Sequence, residues 1–180
     1  SLFSNKLSSG AINLNKHKNQ IMIRRLIILV SFCGVMLSCK KSDTNSCNFT
    51  ESTVVVPASE MTSLAAYVAA NRPTAVLHPG GFYYEIIAAG TGTVTPQICS
   101  DVRVKYAGYL TTGFKFDEEL TGITFRLGQL IVGWQRGLPL IKKGGTINLY
   151  LPPSLGYGAS AVGSIPANSI LIFSVELVDV

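Results

Sequence analysis

The sequence predicts an α+β fold: a curved antiparallel sheet half-wrapped around one short helix, with a second short helix ahead of it. Three observations carry this. Apolar and polar residues alternate with the period of half-buried strands at 102–106, 146–151 and 170–178. Most of the glycines and aromatic residues lie beyond position 80, where Gly-containing turns separate the apolar runs. One helix candidate, 131–140, falls inside that region. A single helix against several antiparallel strands leaves the sheet to curl around it, and the concave side then forms a pocket.

The chain opens on a polar stretch, 1–20, with no period. Met22-Ile23-Arg24-Arg25 then precedes the apolar run 26–37, and Ser38-Cys39 follows. Read from Met22, this is a basic n-region, an apolar h-region and a small residue before the cleavage point. Residues 22–38 thus read as a lipoprotein signal peptide, Cys39 as the lipid attachment site, and 1–21 as upstream or mis-started sequence. The alternative is a transmembrane anchor, but 26–37 is well short of the roughly 20 residues a spanning helix needs. This reading places the protein in the cell envelope, lipid-anchored at the periplasmic face or the outer membrane.

The formal net charge of +5 comes from Lys6, Lys16, Lys18, Arg24 and Arg25, and the charges from Cys39 onward balance. The basic excess therefore belongs to the signal region and gives no ground for nucleic-acid binding, which needs a clustered basic face on the folded domain. Residues 39–58 are polar and read as a flexible tether. Cys47 and Cys99 remain in the mature chain, either paired in an oxidising compartment or as two free thiols.

Residues 59–79 read as a short helix and a linker. Ser59 is the expected N-cap, and Met61, Leu64, Ala65, Val68 and Ala69 fall at helical spacing before Pro73 stops the helix. His78, next to Pro79, reads as a loop residue. Residues 80–180 form the main domain. Its first strand is expected at 81–87. In the next, Val102, Val104 and Tyr106 face one way while Arg103 and Lys105 face the other. A Thr112-Gly113 turn leads to a strand ending at Phe116-Asp117, a loop at 118–124, and a short strand at 124–127. The helix 131–140 puts Trp134, Leu138 and Ile141 on one face, and Lys142-Lys143-Gly144-Gly145 closes it. The alternating apolar sets of 146–151 and 170–178 are core.

Several chemistries are poorly served. Two histidines and widely spaced cysteines make no zinc site. Gly90-Thr91-Gly92 lacks the third glycine of a dinucleotide fingerprint and precedes a strand. No nucleophile elbow accompanies His78. No cofactor or metal is expected. What remains is chemistry that an apolar, aromatic pocket performs by itself.

From about 82 to 180, separated motifs occur in an order that resembles the FKBP-type peptidyl-prolyl cis/trans isomerases: Tyr106, Phe116-Asp117, Leu130-Ile131, Trp134, Gly156-Tyr157-Gly158, Ile165-Pro166 and Phe173. The N-terminal arrangement resembles the family's lipoprotein members. The resemblance implies an isomerase assisting folding of exported proteins, with proline-containing polypeptides as clients and FK506-like macrolides as ligands. By the same resemblance Tyr106, Phe116, Asp117 and Tyr157 are the catalytic candidates. Leu130, Ile131, Trp134, Ile165, Phe173 and Ile123 are the substrate-binding ones. The chain departs from the family at 118–124, shorter than in small members, where Ile123 replaces a common pocket aromatic. A more open wall is expected there. A non-catalytic proline-binding module or holdase using the same pocket is the alternative function.

Overall fold

A computed structural model describes residues 47–180. The expected upstream segment 1–21, the signal 22–38 and the lipid-bearing Cys39 lie outside the described residues. Within them the predicted α+β architecture is the one observed: six strands in one antiparallel sheet and short helices on its faces.

Helix α1 (Ala58–Asn71) begins two residues before the expected start, with Pro57 rather than Ser59 at the N-cap. Proline has no N–H to leave unpaired, so the helix starts directly behind it. The Pro57 carbonyl accepts the N–H of Met61 at 3.1 Å. At the other end Arg72 leaves helical geometry (φ −144°), as the residue before a proline tends to. Leu64 and Val68 of α1 pack on Tyr150, with Tyr83, Ile170 and Ile172 around them.

The strands are β1 (Val76–His78), β2 (Phe82–Ala88), β3 (Asp101–Leu110), β4 (Lys115–Arg126), β5 (Thr146–Leu151) and β6 (Leu171–Asp179). Their order across the sheet is β1-β2-β5-β6-β3-β4. β1 lies in what the sequence presented as a linker. His78 is its last residue rather than a loop residue; it stacks on Phe82 at 4.5 Å and accepts the Gly80 N–H at its Nδ1. Burial, then the charge of Arg136, lowers its pKa.

The alternation holds along β6 and along β5 as far as Leu149; Tyr150, on the opposite face of β5, is buried as well, under α1. Ile147, Leu149 and Leu151, and Leu171, Phe173, Val175 and Leu177, are buried on one face. Phe82, Val102 and Val104 join them. Helix α2 (Val132–Gly137) lies on that face and tightens into a 3₁₀ turn at Leu138–Leu140, filling the span predicted as one helix. Gly133 and Gly137, one turn apart, let it sit directly on β5: a Cβ at either would overlap Leu151 or Leu149. That close approach sinks Trp134, Leu138 and Ile141 into the core.

β4 corrects the sequence reading. The segment 118–124 is not a loop between two strands; β4 runs unbroken from Lys115 to Arg126. Tyr106 pairs with Glu119 and Val104 with Ile123, so Leu120, Thr121 and Gly122 stand opposite Lys105 alone. This is a bulge, and Gly122 takes the positive φ (+98°) it requires. Glu119 closes it: Oε1 accepts the Thr121 N–H at 2.6 Å, the Thr121 hydroxyl at 2.5 Å and the Gly122 N–H at 3.2 Å.

The described part of the expected tether is held against the domain. Arg136 of α2 donates to the carbonyls of Ser52 (2.9 Å) and Val54 (2.8 Å), and to that of Gly80 (2.8 Å). Phe49 packs on Gly128, where a Cβ would strike its ring. Cys47 and Cys99 form a disulfide with their Cα atoms 5.7 Å apart. A polar composition argues for a solvated segment only where nothing binds its backbone, and here Arg136 does.

Candidate functional site

Four aromatic rings from four elements meet on the concave face. Tyr106 comes from β3, Phe116 from β4, Trp134 from α2 and Phe173 from β6. They pack edge to face in a chain: Tyr106 on Trp134 at 5.2 Å and 83°, Trp134 on Phe173 at 5.3 Å and 88°, Phe173 on Phe116 at 5.6 Å and 87°. Perpendicular packing suits the ring quadrupoles, which favour an edge against a face. Gly108, paired with Phe173 across β3 and β6, makes the last contact possible. A Cβ there would stand 2.6 Å from the Phe116 ring and 2.9 Å from that of Phe173.

Polar groups sit at the edge of this apolar set. The Tyr106 hydroxyl donates to Asp117 Oδ2 at 2.7 Å. Burial, then the hydrogen bond and charge of Asp117, push the Tyr106 phenol well above its ordinary pKa. Tyr157 is 38 % exposed, and its pKa is also raised, by burial first and by the charge of Asp117 second. Both phenols therefore stay protonated through neutral pH and remain donors. The indole Nε1 of Trp134 is buried and has no hydrogen-bond partner among the described residues. A buried donor without a partner is costly, which makes it a group an incoming acceptor can satisfy.

The remaining candidates are placed as follows. Leu130 and Ile131 are half-buried and pack on the core cluster beside the rings. Ile131 is the N-cap of α2: its carbonyl accepts the N–H of Trp134 at 2.9 Å, while its own N–H stays outside the helical ladder. Gln135 Nε2 donates to the Leu130 carbonyl at 2.7 Å and to that of Gly128 at 3.3 Å, fixing the approach to the helix. Ile165 is buried in the same cluster, at the end of a tight loop in which Val162 and Ile165 exchange backbone hydrogen bonds of 3.0 and 2.9 Å. Ile123 stands apart, 39 % exposed beyond the bulge of edge strand β4.

Sequence reasoning missed Gly108, Glu119, Gly133 and Gly137, which shape the surroundings of the rings through close approach and the β4 bulge. Gly133 and Gly137 carried a visible signal, two glycines at i and i+4 inside an apolar helix, where glycine is otherwise unfavourable.

Comparison with known proteins bears on the family. A family model described as FKBP-type peptidyl-prolyl cis-trans isomerase matches residues 92–178. The FKBP-type peptidyl-prolyl cis-trans isomerase FkpA of Buchnera aphidicola is 45% identical over 103 residues, covering 56% of this chain and 41% of that protein. The protein of the same name in Escherichia coli K12 is 46% identical over 103 residues, covering 56% of this chain and 38% of its own length. The chain thus spans about two-fifths of these curated relatives, measured by the shares matched. Among solved structures, FkpA from Escherichia coli superposes with a TM-score of 0.60 at 30% identity, covering 98% of this chain and 74% of that one. AtFKBP13 superposes with a TM-score of 0.53 at 28% identity, covering 58% and 96%. Fold, ring arrangement and these similarities lead to one conclusion: the chain belongs to the FKBP-type peptidyl-prolyl cis-trans isomerase family.

Proposed function

We propose that this protein catalyses cis/trans isomerisation of Xaa–Pro bonds in exported polypeptides. The observation that carries the reading is the perpendicular chain of Tyr106, Trp134, Phe173 and Phe116, edged by the Tyr106–Asp117 hydrogen bond. An Xaa–Pro amide rotates over a barrier of roughly 18–20 kcal/mol because resonance must be lost. Uncatalysed, this takes about 10–100 s. The twisted amide has less charge separation than the planar one, so a water-poor aromatic pocket favours it. Binding the transition state better than the ground state is what lowers the barrier. No covalent bond is broken, so no nucleophile is required.

In this reading Trp134 floors the pocket and Phe116 and Phe173 wall it around the pyrrolidine ring. Tyr157 and the Ile131 N–H donate to substrate carbonyls. Asp117 holds Tyr106 in place through its hydroxyl. Leu130 and Ile165 complete the apolar lining, and Ile123 forms an open flank. Macrolides of FK506 type are proposed as further ligands of the same aromatic set, by the chain's membership of the family. Exchange NMR on an Xaa-Pro peptide tests the activity: the cis and trans signals should exchange measurably faster with the chain present. An unchanged exchange rate with well-folded protein would falsify it.

The same reading places the protein in the cell envelope, held by lipid on Cys39 after removal of 22–38. It is supported by the basic and apolar run ending at Ser38-Cys39. Growth with a labelled fatty acid tests it: label should enter the wild type and be lost in Cys39→Ala.

A second reading, a holdase that binds proline-containing segments without turnover, is favoured by exposed apolar side chains on β4 and in the loop before Ile165. Leu120 is 66 % exposed and Val162 44 %.

A further inference from the structure

We infer that Glu60, on the N-terminal helix and far from the pocket motifs in sequence, is a positioning residue for Tyr157. This rests on the reading that Tyr157 serves the isomerase pocket. Glu60 lies in the first turn of α1, and its Oε2 accepts the backbone N–H of Ser154 at 2.9 Å, across 94 positions of sequence. Ser154 is the middle residue of the 3₁₀ turn Pro153–Leu155, which leads directly into Gly156-Tyr157-Gly158. The Pro153 carbonyl accepts the N–H of Gly156 at 2.9 Å and that of Gly158 at 2.8 Å. The Gly158 carbonyl in turn accepts the Asn168 N–H at 2.8 Å. Tyr157 therefore sits between two residues whose backbones are bonded into the turn that Glu60 holds.

Leu155 anchors the end of the turn in the core, but at its middle residue Glu60 is the polar anchor. The Ser154 hydroxyl is buried and has no partner among the described residues, so the side chain does not anchor it. Pro152 and Pro153 bring no N–H. A carboxylate accepting a backbone N–H makes one of the stronger hydrogen bonds available. The anchor is itself fixed. Leu64 and Val68 seat α1 on Tyr150, and the stretch before the helix is clamped by Arg136 and the Cys47–Cys99 disulfide. On the opposite side Gly156 abuts Leu171, so the turn cannot slide inward. The N-terminal helix is thus a working part of the site, acting through one carboxylate.

Three variants of the full chain separate this role from simple support of the fold. Glu60→Gln keeps an acceptor oxygen at the same reach, Glu60→Asp draws it back by one methylene, and Glu60→Ala removes it. In the peptide assay kcat/KM should fall about fivefold in Glu60→Asp and Glu60→Ala, and stay within about twofold of wild type in Glu60→Gln, the scale of one hydrogen bond. In a Tyr157→Phe background Glu60→Asp should change nothing further. The backbone amide resonances of residues 156–158 should move in Glu60→Asp and return in Glu60→Gln. With an active wild type, an unmoved kcat/KM in Glu60→Asp overturns the inference, as does a loss that multiplies with that of Tyr157→Phe. With an inactive wild type the isomerase reading fails instead, and the resonances decide: unmoved in Glu60→Asp, they overturn the positioning role. Glu60→Asp keeps the charge and settles the matter should Glu60→Ala not fold.

Discussion

Tyr106 on β3 donates its hydroxyl to Asp117 on β4 at 2.7 Å, and this bond joins the aromatic chain to the polar edge of the site. It also links the pocket to pH. Burial, then hydrogen bonding and charge from Asp117, hold the Tyr106 phenol above its ordinary value; burial and Glu85 do the same for Tyr150. Both groups have folded pKa values raised above unfolded ones. Their contribution to stability is complete below the unfolded phenol value of about 10 and is lost as pH rises toward the folded values. The urea midpoint should stay level up to about pH 10 from this source and fall above it. The fall should be shallower in a Tyr106→Phe, Tyr150→Phe double variant. A wild-type midpoint that stays level above that pH would count against the two phenols being held protonated by the fold.

Gly108→Ala tests the packing of the rings. The added Cβ would stand 2.6 Å from Phe116 and 2.9 Å from Phe173, with neither ring free to retreat without losing its perpendicular contact. Overpacking of this kind costs about 1–3 kcal/mol. Denaturation followed through Trp134, the single tryptophan of the chain, should show that loss and a shifted native emission. Unchanged emission at unchanged stability would mean the rings have more room than the geometry gives them.

Strands β5 and β6 were legible because the core face of each is fully buried and the other, apart from Tyr150 under α1, is not, so period 2 is written into the residues. β4 was not, because Glu118-Glu119, Thr121 and Gly122 are the composition of a loop. Only the hydrogen bonds of Glu119 reveal that they form a bulge. β1 is three residues beside a proline, too short for any period. The ring residues were legible as a set through family motifs, and the structure brings four of them into one chain of contacts. Arg136 with Ser52 and Glu60 with Ser154 join positions 84 and 94 apart, and no local pattern announces such a pair.

The Cys47–Cys99 disulfide closes a separation of 52 residues and should be a measurable source of stability. In the chain-entropy account a loop of this size is worth about 4 kcal/mol. Reduction, or a Cys47→Ser, Cys99→Ser pair, should lower the denaturation midpoint. Arg136→Ala should release the same stretch at Ser52 and Val54, at about 1.5–3 kcal/mol for each hydrogen bond from a charged donor. Because both act on residues 47–57, the losses should sum to less than their parts. Full additivity would show that the stretch is not held as one unit.

Tyr157→Phe and Trp134→Leu separate turnover from capture. The first removes one hydroxyl from a residue that is 38 % exposed, leaving the fold intact. If that hydroxyl donates to a substrate carbonyl in the twisted state, kcat/KM should fall roughly tenfold, the effect of about 1.4 kcal/mol. The second removes the buried indole that, in the proposed reading, floors the pocket. It should weaken peptide binding and cost about 2–4 kcal/mol of stability. Both variants are compared in the exchange assay and in suppression of aggregation of an unfolded client. An isomerase loses turnover in both, and its aggregation suppression follows. A holdase working through the exposed Leu120 and Val162 shows little turnover to lose, and its suppression of aggregation survives both changes. It is lost instead when Leu120 and Val162 are replaced by serine, because the exposed apolar area is then what captures the client.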